Sequence, residues 1–126
     1  MPKNVLVIDD EQEVCALVKS ILEREGEFKV SIATRGSDGL YQAKRYKPDL
    51  VILDLMMPDL DGTEVAQNLL QDSTTKHIPI IFLTALAQKE EVESGMIRER
   101  NLIAKPVSPQ ELIHRVKQVL SGEPQS

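Results

Sequence analysis

Leu50-Val51-Ile52-Leu53 is an unbroken apolar run, entered through Pro48-Asp49 and left at Asp54. A strand with one wet face alternates apolar with polar residues, whereas a strand covered on both faces reads as a continuous apolar segment. This run therefore requires a layer above it and a layer below. Val5 to Ile8, Ile78 to Leu83 and Leu102 to Ala104 have much the same character, and Phe28 to Ala33 alternates. Between these runs lie helical patterns. Val14, Leu17, Val18, Ile21 and Leu22 recur at i, i+3, i+4, i+7 and i+8. Leu40, Ala43 and Tyr46, then Val65, Ala66, Leu69 and Leu70, then Leu112, Ile113, Val116, Val119 and Leu120 mark inward faces of three more helices.

The punctuation agrees with this alternation. Gly26 ends the first helix, Gly36-Ser37-Asp38-Gly39 opens the second, and Asp61-Gly62 precedes the third. The pair Asp59 and Asp61 reads as a turn leading into a helix cap. Pro79 stands near the start of its strand, where a missing N–H is tolerated best. Ser108-Pro109-Gln110-Glu111 is a capping box with proline at the first helical position, and Gly122 stops the helix it begins. Gln88 to Ser94 is mostly polar and is interrupted by Gly95 before Met96 and Ile97, so a short helix is expected there. The fold class is α/β. A doubly wound, five-stranded parallel sheet in a three-layer α/β/α arrangement is expected, right-handed crossovers placing two helices on one face and three on the other.

At 126 residues the chain suits one domain, expected over residues 1–122, with 123–126 as a tail or the start of a linker. Fifteen basic against twenty acidic residues give a net charge of -5, which argues against direct nucleic-acid binding. No apolar run approaches the roughly 20 residues of a membrane span, so a cytoplasmic location without membrane association is the default expectation. The single cysteine, Cys15, can form no internal disulfide and sits among apolar residues, as a buried structural thiol would.

In an open parallel sheet all strand carboxyl ends share one edge. Asp9, Asp10, Asp54, Thr84 and Lys105 each end or directly follow an apolar run and should converge there. Gathered carboxylates repel one another unless a cation or a retained proton intervenes. An all-oxygen donor set selects a hard ion such as Mg²⁺, and His77 and His114 lie too far from the motif to make a zinc site. Lys105 can neutralise a phosphoryl oxygen and the Thr84 hydroxyl can donate to another. Phosphoryl transfer to a carboxylate, forming an acyl phosphate on the chain itself, is the chemistry these groups favour.

Val5-Leu6-Val7-Ile8-Asp9-Asp10-Glu11, Asp54-Leu55-Met56-Met57-Pro58-Asp59-Leu60-Asp61-Gly62, Thr84-Ala85 and Lys105-Pro106, in this order and spacing, resemble the motif set of response-regulator receiver domains of two-component signalling. The resemblance spans about residues 4 to 121 and implies the flavodoxin-like strand order 2-1-3-4-5. It implies that Asp54 accepts a phosphoryl group from a sensor histidine kinase or phosphotransfer protein. Asp9 and Asp10 would hold Mg²⁺ together with Asp54 and the backbone carbonyl of Met56, Asp10 being favoured over Asp9 as direct ligand. Thr84 and Lys105 would bind phosphoryl oxygens, small Ala85 would leave access to them, and the Lys105-Pro106 peptide would be cis. The signal would pass to a downstream protein or output domain, and the chain would support only its own phosphorylation and dephosphorylation.

The sequence departs from the family at Leu102, where Tyr or Phe usually stands three residues before the lysine. That departure supports an alternative, a non-phosphorylated pseudo-receiver acting as an interaction module. Two other readings fit less well. An aspartate-nucleophile phosphatase needs a second Asp where Met56 stands, and a dinucleotide-binding domain needs a glycine loop where Asp9-Asp10-Glu11-Gln12 stands.

Overall fold

In the computed structural model, which describes residues 2–85 and 101–122, strands and helices alternate from the start. They are β1 (Lys3–Ile8), α1 (Gln12–Glu23), β2 (Phe28–Ala33), α2 (Gly36–Tyr46), β3 (Leu50–Asp54), α3 (Gly62–Gln71), β4 (Ile80–Ala85), β5 (Leu102–Lys105) and α4 (Pro109–Ser121). The helix expected between Gln88 and Ile97 and the tail 123–126 lie outside the described residues.

All strand pairs are parallel and the order is β2-β1-β3-β4-β5, as the motif resemblance implied. Successive side chains on a strand point to opposite faces, so each apolar run feeds two cores. Val5, Val7, Val30, Leu50, Ile52, Ile81, Leu83 and Ile103 pack with Cys15, Val18 and Leu22 of α1 and Leu112 and Val116 of α4. Leu6, Ile8, Val51, Leu53, Phe82 and Leu102 pack on the other side with Ala43 of α2 and Val65, Ala66 and Leu69 of α3. Burying each large aliphatic side chain stabilises the fold by roughly 1.5–3 kcal/mol before entropy is counted.

Three residues expected inward are exposed: Leu17 at 44 %, Tyr46 at 67 % and Leu70 at 58 %. The cause is helical phase. At 3.6 residues per turn, Tyr46 lies about 120° round α2 from Leu40, and Leu17 and Leu70 sit at the margins of their apolar arcs. Arg45 covers Tyr46 instead, its guanidinium carbon 5.8 Å from the ring centroid. Two strand starts also differ from expectation. β1 begins at Lys3, because exposed Lys3 and Asn4 still pair with Phe28 and Lys29. β4 begins at Ile80, since Ile78 N donates to Thr75 O in a turn.

The free edge of β2 is closed by side chains. Glu23 Oε2 accepts from Val30 N at 3.0 Å, Lys19 Nζ donates to Val30 O at 3.0 Å, and Gln42 Nε2 donates to Ile32 O at 3.2 Å. Such capping leaves little backbone available for strand addition.

Candidate functional site

Strand order reverses direction at β1 and β3, and the crevice beyond their carboxyl ends is where open α/β sheets bind ligands. Ile8 is in register with Leu53, Asp54 with Leu83, Thr84 with Ala104, and Ala85 with Lys105. The register alone therefore brings the strand-end residues to one edge.

Asp9 follows β1 and is fully buried. Its N–H donates to Ala33 O at 3.0 Å, its Oδ1 accepts from Glu11 N at 2.9 Å, and its carbonyl accepts from Cys15 Sγ at 3.2 Å. Cys15 is thus a buried structural thiol, as expected, and burial followed by the Asp9 charge pushes its pKa up to about 11. Asp54 ends β3, is buried, and its Oδ1 accepts from Met56 N at 3.3 Å. After it the chain turns through Leu55 to Asp61 and closes with Gly62 N donating to Leu55 O at 3.0 Å. Gly62 is required here, because a Cβ would collide with the Asp54 carbonyl oxygen and Leu55 Cα.

Carboxylate oxygens of Asp9, Asp10 and Asp54 lie within 4.8 Å of one another, with Asp10 exposed and the other two buried. Lys105 Nζ reaches into this group, 2.9 Å from Asp9 Oδ2, 2.9 Å from Glu11 Oε1 and 3.6 Å from Asp54 Oδ1. The contact with Asp9 Oδ2 is an ion pair without hydrogen-bond alignment, so that buried oxygen keeps acceptor capacity. Burial raises the pKa of Asp9, and burial followed by the Asp9 charge raises that of Asp54, while Lys105 pulls both down. Burial alone would lower the Lys105 pKa, but Glu11 and Asp9 hold it above the usual lysine value. Among the described residues one ammonium is paired with Asp9, Glu11 and Asp54, with Asp10 adjoining, and these carboxylates outnumber it. Oxygen donors, an incompletely used buried carboxylate and surplus negative charge fit a hard divalent cation. Residues Asp9, Asp10 and Asp54 could hold it.

Thr84 is fully buried, and its Oγ1 donates to Ala85 O at 3.3 Å; Ala85 is exposed. Met56 lies in the loop after Asp54 with its side chain outward, 58 % exposed, which leaves its backbone as the part near the cluster. The Lys105-Pro106 peptide is cis. His77 lines the opposite edge of the sheet with Lys3, Lys47 and Pro79, away from these carboxylates. Leu102 points into the core beside α2 and α3 and is 2 % exposed.

Two participants have partners that the sequence did not indicate. Glu11 shares Lys105 with the buried aspartates, although it follows Asp9-Asp10 directly and its charge was visible. Asp61 does cap α3, accepting from Thr63 N at 3.0 Å, but Asp59 serves a different helix, accepting from Gly36 N of α2 at 3.0 Å. A carboxylate beside a helix start suggests a cap for that helix, and nothing local points to a helix 23 residues earlier.

Comparison with known proteins is consistent with this geometry. Residues 5–117 match the family model described as the response regulator receiver domain. The chain is 39% identical over 121 residues to the alkaline phosphatase synthesis transcriptional regulatory protein PhoP of Bacillus subtilis, covering 95% of this chain and 49% of that protein. It is 32% identical over 123 residues to the polar-differentiation response regulator DivK of Brucella anthropi, covering 95% of this chain and 98% of DivK. Relatives thus include both proteins of about twice this length and proteins of the same length. Among solved structures, a putative response regulator from Chloroflexus aurantiacus superposes with a TM-score of 0.83 at 31% identity, covering 96% of this chain and 99% of that one.

Proposed function

The chain belongs to the response-regulator receiver family of two-component systems, and from that premise we propose a phosphorylation-controlled switch in which Asp54 is the phosphoacceptor. The observation that carries this reading is the convergence of Asp54, Asp9, Asp10 and Lys105 in one crevice, with Lys105 Nζ 3.6 Å from Asp54 Oδ1. The donor would be the phosphohistidine of a sensor kinase or phosphotransfer protein. A carboxylate oxygen of Asp54 attacks phosphorus, an O–P bond forms, the P–N bond to the histidine breaks, and the imidazole leaves with the electron pair.

Within this chain, Lys105 shifts from its carboxylate partners to a phosphoryl oxygen, and the Thr84 hydroxyl turns from Ala85 O to donate to another. Ala85 leaves that side open because its side chain ends at Cβ. Bound Mg²⁺, held by Asp9, Asp10, Asp54 and the Met56 carbonyl, would offset the carboxylate charge and stabilise negative charge on the transferring group. Residues 1–122 would form the receiver unit and 123–126 a tail or linker. The role is that of a switch read by a downstream protein or output domain, with no turnover of a separate substrate. Among the described residues no helix is long and apolar enough to cross a membrane, which is compatible with the cytoplasmic location the reading implies.

Leu102 favours a second reading, a pseudo-receiver that works without phosphorylation, because the usual aromatic is replaced by a leucine already packed in the core. Incubation with a small phosphodonor and Mg²⁺, followed by intact-mass measurement, separates the two. Wild type should gain one phosphoryl group and Asp54→Asn should gain none. A wild type that takes up no phosphoryl group would favour the pseudo-receiver.

A further inference from the structure

Helix α2 begins without a cap of its own. Its N-cap residue is Arg35, whose side chain makes no capping hydrogen bond. The first-turn donors are nevertheless satisfied, because Asp59 Oδ1 accepts from Gly36 N at 3.0 Å and Asp59 Oδ2 accepts from Ser37 N at 3.2 Å and Ser37 Oγ at 3.3 Å. Arg35 Nε stands 3.9 Å from the same Oδ2, and the Asp59 side chain is 18% exposed. The backbone contact beside it is equally close: a Cβ on Gly36 would stand 2.8 Å from Leu60 Cβ and 3.0 Å from Leu60 O. The Gly36 and Ser37 donors hold the Asp59 carboxyl below the usual carboxylate range, so it is charged at neutral pH.

Asp59 and Leu60 belong to the loop that starts at the acceptor. One end of that loop is fixed by Met56 N donating to Asp54 Oδ1 at 3.3 Å, and the other by Gly62 against the Asp54 carbonyl. Its middle is fixed to α2.

We propose that Asp59 is a positioning residue: by clamping the middle of the acceptor loop to the first turn of α2, it holds the Met56 backbone ready for the cation and couples the start of α2 to the state of the site. The inference rests on the reading of Asp9, Asp10 and Asp54 as the metal site. Without Asp59 the loop samples more conformations, and a cation that needs one of them binds in proportion to its population. Coupling is reciprocal, so cation binding in turn strengthens the hold on α2.

The test is a Mg²⁺ titration of wild type, Asp59→Asn and Asp59→Ala, followed by backbone amide resonances, with thermal unfolding of each protein. Asp59→Ala should bind Mg²⁺ roughly five- to tenfold more weakly, as expected if the competent loop falls to a minor population. Asp59→Asn keeps one acceptor oxygen for Gly36 N and should fall between the two, which also keeps the test informative if the alanine variant folds poorly. In wild type the Gly36 and Ser37 amides should shift on Mg²⁺ addition, and in Asp59→Ala that response should be lost. Equal Mg²⁺ affinity in wild type and the variants, even with a lowered Tm, would overturn the clamp while leaving the metal site intact. A wild type that binds no Mg²⁺ would overturn the reading of the site and the clamp with it.

Discussion

Helices α3 and α4 are capped by their own sequence, whereas α2 takes its cap from a distant loop and α1 has no side-chain cap. Asp61 Oδ1 accepts from Thr63 N at 3.0 Å to begin α3, and Ser108 Oγ accepts from Glu111 N at 3.4 Å to begin α4, with Pro109 next in line. At α1 the N-cap residue is Glu11, but its carboxylate makes no cap and instead meets Lys105, 94 residues away. At α2 the cap arrives from Asp59. In both exceptional cases a carboxylate ties the helix start to the site: Glu11 at the start of α1 accepts from Lys105, and Asp59 in the loop after Asp54 accepts from Gly36 of α2. A local cap concerns one helix; a borrowed cap links a helix to the chemistry.

The largest effect is expected where this contrast is most exposed to failure. Helix α3 is capped locally, yet its first residue, Gly62, abuts the Asp54 backbone. Gly62→Val should destabilise the protein by about 1–3 kcal/mol through overpacking and should also reduce phosphoryl uptake, because the displaced atoms belong to the acceptor. Denaturant unfolding and intact-mass kinetics measure the two effects. Normal uptake in a destabilised variant would show that the start of α3 can move without disturbing Asp54. Ser108→Ala is the sharper control. Loss of a helix cap costs about 1 kcal/mol, and because the Ser108 hydroxyl accepts from Glu111 N rather than from a crevice group, Mg²⁺ affinity and phosphoryl uptake should be unchanged. A weakened Mg²⁺ site in Ser108→Ala would erase the distinction between local and borrowed starts.

The same distinction governs what the sequence disclosed. Strands covered on both faces leave continuous apolar runs, so Leu50 to Leu53 announced the layered sheet, and the local box at Ser108 announced α4. The convergence of Asp9, Asp10, Asp54 and Lys105 was legible because parallel strands share one carboxyl edge. Strand starts at Lys3 and Ile80 were not, since backbone pairing of exposed residues leaves no side-chain pattern. Tyr46 was misplaced because two steps of i+3 drift off the buried arc, an error that counting apolar residues alone invites. The bonds from Glu11 to Lys105 and from Asp59 to Gly36 span 94 and 23 residues; each carboxylate was visible, but its partner is set by tertiary packing.

The smallest effect is expected at Glu11, and it separates charge from structure. Its carboxylate is 59% exposed while Lys105 is 17% exposed, so the pair is half a surface ion pair. Pairs of that kind contribute about 0–1 kcal/mol, and Glu11→Gln should therefore barely change Tm. Kinetics should respond more. To meet a phosphoryl oxygen, Lys105 must turn from Glu11, which meanwhile stands as a like charge at the mouth of the crevice. Removing that charge with shape preserved should speed uptake from a small anionic phosphodonor by about two- to threefold at low ionic strength, since local charge tunes association of charged ligands. Added salt should shrink the difference, because interactions over more than a Debye length of about 8 Å are screened near physiological ionic strength. Initial uptake rates at low and high salt measure this directly. If the rate ratio is unity at low salt, Lys105 leaves Glu11 without cost, and the Glu11 contact does not govern uptake. A ratio that persists at high salt would instead place the effect in the direct 2.9 Å contact with Lys105, which screening by mobile ions does not reach.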